Sequence, residues 1–173
     1  MNKIILYLAL LSLVIISCNG RFSETNQDTS TTRINTSPDK LIEGKVIKIA
    51  DGDTFTLIFD NGYNVRVRLN GIDTPEKKQA FSKKAKQELS SMIFNKNVRV
   101  DYSSKDRYGR VLGDVYVGDL NVNEEMIKRG MAWHYKKYSD DENLAHLEIE
   151  AQRNKIGIWS DPNPIPPWEF RKK

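Results

Sequence analysis

The side chains of this sequence that could act on a substrate together lie in three short stretches and at one strand-face arginine. Asp51-Gly52-Asp53-Thr54 falls at the junction of two β-rich runs, and Asp73-Thr74-Pro75-Glu76 follows the exit of a third. Carboxylates delivered from neighbouring strand ends suit a hard cation such as Ca²⁺, which takes oxygen ligands from Asp, Glu and backbone carbonyls. Arg68 lies on the non-core face of the third run, and Arg110 closes the stretch Lys105-Asp106-Arg107-Tyr108-Gly109-Arg110. A guanidinium offers a planar fork to phosphate oxygens, so two of them facing a cation could hold a phosphodiester from both sides. Each stretch taken singly has an ordinary alternative: Asp-Gly-Asp is a common turn, Asp-Thr-Pro-Glu a common loop before a helix, and strand-face arginines are often only solvated charge.

The elements that must position these residues are legible in the hydrophobic pattern. Ile42 to Ala50 is rich in β-branched residues, Thr54 to Phe59 alternates through Phe55, Leu57 and Phe59, and Val65 to Ile72 alternates through Val65, Val67 and Leu69. Asp60-Asn61-Gly62 between the last two is a hairpin turn, because Asn-Gly tolerates positive φ. Lys77 to Phe94 carries Phe81, Ala85, Leu89 and Met92 at helical spacing, with lysines on the opposite side. Two further strands follow at Asn97 to Ser103 and Val111 to Val117, then a helix at Val122 to Trp133. A capping-box sequence at Ser139 to Glu142 precedes a third helix with Leu144, Leu147 and Ala151 along its stripe. Five short strands interrupted by one helix predict a small closed or nearly closed barrel rather than a sandwich or parallel sheet. The Pro-rich tail, Pro162 to Lys173, is expected to drape as a strap without helix.

The three stretches, in this order and spacing, resemble the staphylococcal nuclease (thermonuclease) family. The resemblance extends through Gly71-Ile72, Val122-Asn123-Glu124, Arg129-Gly130-Met131-Ala132 and Gly157-Ile158-Trp159, covering roughly residues 41 to 160. It implies an α+β fold, a five-stranded OB-fold barrel with three helices. The implied activity is Ca²⁺-dependent hydrolysis of phosphodiester bonds in DNA, RNA or both, leaving 3′-phosphate ends. Position by position, it implies that Asp53, Asp73 and the Thr74 carbonyl hold Ca²⁺. Glu76 is then the general base on the attacking water, Arg68 and Arg110 bind the phosphate, and Tyr108 lies near the nucleotide. Tyr135 and Tyr138 are the candidates for stacking on the base. The sequence departs from the family's founding member after Glu76, where a long lysine-bearing loop is replaced by Lys77-Lys78-Gln79-Ala80-Phe81. The alternative from another class is a catalytically inactive OB-fold lipoprotein that binds nucleic acid or another polyanion, and such degenerate barrels lack the acidic pair, the glutamate or the arginines.

The remaining sequence bears on location. Lys3 followed by the apolar run Ile4 to Ile16 has the layout of an export signal and is too short for an ordinary span of about 20 residues. It ends Ile15-Ile16-Ser17-Cys18, which looks like the lipobox of bacterial lipoproteins, so residues 1–17 are expected to be a signal peptide and Cys18 the lipidated residue that anchors the protein to a membrane of the cell envelope. Residues 18–40 read as a polar tether, 41–160 as the folded domain and 161–173 as the strap. The chain has 173 residues, 27 Lys plus Arg against 23 Asp plus Glu, and one Cys, which rules out an internal disulfide. That balance attracts polyanions only weakly. A monomer is expected. His134 and His146 have no partnering motif and read as packing or surface residues.

Overall fold

The structure, a computed structural model, describes residues 40–172. The apolar leader, Cys18 and all of the tether but its last residue lie outside the described residues. Among the described residues no helix is long and apolar enough to cross a membrane.

β1 (Lys40–Ile49) is long enough to serve two neighbours: its first half pairs antiparallel with β5 (Asn97–Lys105), and its second half pairs with β2 (Thr54–Ile58) across a bulge at Val46/Lys48. β2 turns into β3 (Asn64–Leu69) through the Asn61-Gly62 hairpin, and β5 pairs with β6 (Val111–Val117). Closure comes from a parallel pairing of β3 with β6, Val67 opposite Val111 and Leu69 opposite Gly113. These five strands form a mixed barrel, as the alternation predicts; a short β7 (Leu120–Asn121) extends β6. Its interior takes the inward residues Phe55, Leu57, Val67, Leu69, Val98, Val100, Val111 and Val115, all buried.

Three helices cover the barrel. α1 (Ser82–Ile93) inserts Ala85, Leu89, Met92 and Ile93, α2 (Val122–Lys128) inserts Val122, Met126 and Ile127, and α3 (Glu142–Arg153) adds Leu144, Leu147 and Ala151. The α+β barrel with three main helices therefore stands as read from the sequence, while several boundaries move for identifiable reasons. β1 begins at Lys40, which the sequence reading had given to the tether. The run Val65 to Ile72 is broken by Gly71 at φ 69°, so Ile72–Asp73 becomes a separate strand, β4. α1 starts five residues later than its periodicity suggests, because Glu76 to Gln79 closes a turn and Phe81 adopts φ 65° at the N-cap. α2 stops at Lys128 ahead of Gly130, at φ 61°, and the chain then re-enters a strand, β8 (Trp133–His134), paired with β4. α3 is capped by Asp141, whose carboxylate accepts from Asn143 and Leu144 N–H groups, rather than by Ser139. The tail is not wholly extended: after a 3₁₀ turn (Gly157–Ser160), it forms a one-turn helix, α4 (Pro167–Phe170), with proline at its first position, where a missing N–H is harmless.

Candidate active site

The three chemistry-bearing stretches meet at one end of the barrel. Asp53 is fixed by the β1–β2 turn, where its N–H donates to Asp51 Oδ1 (3.2 Å) and its carbonyl accepts from Leu69 N (2.9 Å). Asp73 is fixed by β4, whose only partner among the described strands is β8, with Asp73 opposite Trp133. Thr74 ties the two: its N–H and hydroxyl donate to Asp53 Oδ2 at 3.1 and 2.9 Å.

Arg68 reaches from the non-core face of β3 across both carboxylates. Its Nη1 lies 3.1 Å from Asp53 Oδ2 and its Nη2 2.9 Å from Asp73 Oδ1, while Nη1 also donates to the Leu69 and Ile72 carbonyls. The alternative of a merely solvated strand-face charge does not hold for Arg68, whose side chain is 13% exposed. Arg110 approaches from the other side. Asp106 orients it, accepting its Nε–H at 2.7 Å, and its Nη1 donates to Thr54 Oγ1 (3.2 Å), which donates in turn to Asp53 Oδ1 (3.0 Å). Burial raises the pKa of Asp106, but hydrogen bonds from the Arg110 side chain and the Arg110 and Tyr108 N–H groups outweigh it and hold the carboxyl below its ordinary value.

Glu76 stands half-buried on the loop after Asp73, where its N–H donates to Gln79 Oε1 (3.0 Å). A residue that the sequence reading left outside the site joins it here. Arg171, just past α4, places Nη2 2.8 Å from Asp73 Oδ2 and Nη1 2.6 Å from Glu76 Oε1. A continuous line of polar contacts thus runs from Asp106 through Arg110, Thr54, Asp53, Arg68 and Asp73 to Arg171 and Glu76. Burial lowers the Arg171 pKa, and its hydrogen bonds to Asp73 and Glu76 more than reverse that. No local signal in the sequence marks Arg171 as a site residue, since it is 98 positions from Asp73.

Two carboxyls of the site are shifted by their surroundings. Asp73 has its pKa raised, chiefly by burial, even with Arg171 and Arg68 pulling the other way. At the rim, the Asp51 carboxyl is pushed up to about 6, first by desolvation and then by the neighbouring Asp53 charge. The donor set is all oxygen, with two nearly buried carboxylates, and suits a hard cation completed by a carbonyl and water. Among the described residues no group of three or more His, Cys, Asp or Glu side chains forms a metal-binding cluster.

The tyrosines are divided between two flanks. Tyr108 is exposed beside Arg110, with the Arg107 and Arg110 guanidinium groups 4.8 and 5.5 Å from its ring centre. Tyr135 and Tyr138 meet edge to face at 4.8 Å on the β8 side, and Trp168 of the strap lies parallel on Tyr135, 5.1 Å away with 4° between planes. Trp133 is in the core, against Trp159. His134 is buried with Nε2 3.1 Å from Ser139 Oγ and Nδ1 without a hydrogen-bond partner, and it takes no part in the acidic site.

Comparison with known proteins gives the same picture from another direction. Residues 66–161 match a family model described as staphylococcal nuclease homologue. An uncharacterized endonuclease of Haemophilus influenzae is 46% identical over 129 residues, covering 75% of this chain and 72% of that protein. An uncharacterized endonuclease of Escherichia coli is 44% identical over 133 residues, 76% of this chain and 86% of its own. A micrococcal nuclease of Shigella flexneri is 41% identical over 140 residues, 75% of this chain and 80% of its own.

Proposed function

Since this chain belongs to the staphylococcal nuclease family, we propose that it is a Ca²⁺-dependent nuclease that hydrolyses DNA, RNA or both by attack of a base-activated water and leaves 3′-phosphate ends. The observation that carries this reading is the unbroken contact line that gathers Asp53, Asp73, Arg68, Arg110 and Glu76 at one end of the barrel. A degenerate binding barrel has no need for that convergence.

Asp53, Asp73 and the Thr74 carbonyl would hold the cation. When bound, Ca²⁺ supplies charge neutralisation at the phosphate and a water made easier to deprotonate. Arg68 and Arg110, approaching from opposite sides of Asp53, present guanidinium groups to the phosphate oxygens, where charge grows during attack. Asp106 keeps Arg110 aimed, and Thr54 keeps Asp53 turned toward the site. Glu76, on the Asp73 side, accepts the proton of the attacking water, a step typically worth roughly 10²- to 10⁴-fold. Tyr108 flanks the phosphate position beside Arg110, and Tyr135 offers an aromatic face for a base. Tyr138, packed edge-on to Tyr135 and otherwise exposed, supports that ring.

Single-stranded DNA and RNA incubated with Ca²⁺ or a chelator test the reading directly. Glu76→Gln should lower kcat with little change in KM, and Arg68→Ala and Arg110→Ala should each reduce kcat/KM; cleavage at the wild-type rate by these variants removes the residues from the mechanism. End-group analysis of the products checks the 3′-phosphate. The lipid anchor at Cys18 is proposed from the sequence alone: Cys18→Ala should release the protein from membranes, and unchanged detergent partitioning would count against acylation.

A further inference from the structure

The C-terminal strap runs onto the site and is held there at three places. The Gln79 side-chain amide donates to the Ile165 carbonyl, Trp168 stacks on Tyr135, and Arg171 pairs with Asp73 and Glu76. Gln79 accepts from the Glu76 N–H as well, so the glutamate loop and the strap share one clasp.

The last of these contacts conflicts with turnover. A guanidinium has donors only and cannot ligate a cation. Arg171 lies 2.8 Å from Asp73 Oδ2 and 3.3 Å from Oδ1, the second oxygen being also held by Arg68 at 2.9 Å. Both oxygens of a proposed cation ligand are therefore engaged, and the same guanidinium occupies the carboxylate assigned to deprotonate water. Trp168 meanwhile covers, at 4° from parallel, a face of Tyr135 that a nucleobase would use. The strap thus presents a positive charge to one of the two carboxylates assigned to the cation and a flat aromatic ring to Tyr135.

Resting on the assignment of Asp73 to the cation, Glu76 to the proton and Tyr135 to the base, we propose that the strap is an internal latch: Arg171 engages Asp73 and Glu76 and Trp168 covers Tyr135, and Ca²⁺ and nucleic acid bind by displacing them. The hold suits displacement. The Arg171 side chain is 40% exposed, so solvent weakens its ion pairs, and a divalent ion competes for Asp73 with twice the charge. Cation affinity is lowered by the fraction of molecules that are latched, and cation and nucleic acid assist each other because each removes part of the same obstacle.

The test is calorimetric titration of the chelator-treated full-length chain, kept in mild detergent, with CaCl₂. Arg171→Gln, which keeps the size but not the charge, should bind Ca²⁺ roughly tenfold more tightly than wild type, the effect of losing one partly exposed charged competitor. Arg171→Lys should fall between the two. Trp168→Ala, which loosens the strap without touching a carboxylate, should also bind more tightly. Ca²⁺ should change the tryptophan fluorescence of wild type, and Trp168→Phe should remove most of that change. Equal or weaker Ca²⁺ binding by Arg171→Gln and Trp168→Ala, with wild type binding normally, overturns the latch and leaves the cation assignment intact. If neither wild type nor the variants bind Ca²⁺, the cation assignment itself falls and the latch with it.

Discussion

Replacing Arg68 by Met should destabilise the chelator-treated protein by about 3 kcal/mol and make its stability unusually responsive to Ca²⁺. The guanidinium bridges Asp53 at 3.1 Å and Asp73 at 2.9 Å, and the side chains are 13%, 9% and 2% exposed. Met keeps most of the aliphatic stem's packing, so the change isolates the charge. Removing one partner from a buried ion pair costs about 3–5 kcal/mol, because the charge left behind is neither solvated nor paired. The lower end applies here, since Arg171 remains against Asp73 and Thr74 still donates twice to Asp53. For a domain of this size, about 3 kcal/mol corresponds to a fall in Tm of roughly 10 °C. Ca²⁺ bound between the two carboxylates would replace the missing charge, so the gap between wild type and variant should narrow as Ca²⁺ rises. Urea unfolding of both proteins, with chelator and with excess Ca²⁺, measures the four stabilities. A gap under about 1 kcal/mol in chelator would show that the carboxylates do not depend on Arg68. A gap indifferent to Ca²⁺ would show that the cation binds elsewhere.

Three further outcomes follow from the packing around the site. Asn123 is buried, accepts from Val115 N (3.0 Å) and donates to the Asn70 carbonyl (2.9 Å) and Asp114 Oδ1 (3.0 Å) where β6 meets the turn leading to Asp73. Asn123→Leu should therefore cost about 2–4 kcal/mol in urea unfolding, a loss below about 1 kcal/mol arguing against this clamp. Gly130 has φ 61°, and a Cβ there would lie 2.1 Å from the Ile156 carbonyl oxygen; Gly130→Ala should destabilise by at least about 2 kcal/mol in the same assay, and a neutral effect would mean that the contact yields easily. Burial holds the His134 imidazole below its ordinary 6.5, so the unfolded chain takes the proton more readily. Its contribution is intact above about 6.5 and is lost as pH falls toward the depressed folded value. Asp51, pushed up from 3.8 to about 6, acts with the opposite sign, favouring the fold as pH falls through about 6. The informative quantity is thus the Tm difference between wild type and His134→Asn, which should shrink from pH 7.5 to 5.5; a constant difference would remove His134 from the acid response.

The barrel was legible because its determinants are local. The alternation through Phe55 and Leu57 and through Val67 and Leu69 assigns an inward face whatever the rest of the chain does, and the Asn61-Gly62 turn joins those strands. The acidic motifs and Glu76 were visible as short stretches at strand ends and loops, but it was the resemblance to a known family, not local pattern, that joined them with Arg68 and Arg110 as one set. What the sequence could not determine is which ends meet. Gly71 looks like any interruption of a strand until β4 is seen pairing with Trp133 and His134, a contact that holds Asp73 in place and that no local periodicity encodes. Read locally, Trp133 is the last residue of a helix, and only the turn at Gly130 takes it out of one. Arg68 reads as strand-face charge until the β2–β3 pairing and the turn at Gly71 are seen to bring Asp53 and Asp73 under its two nitrogens. The strap is the extreme case: proline content marks it as non-repetitive chain, but the partners of Arg171 and Trp168 lie far away in sequence and near only in space. Hydrophobic periodicity reports which side of an element is buried, whereas ion pairs and ring stacks between distant segments exist only once the chain has closed on itself.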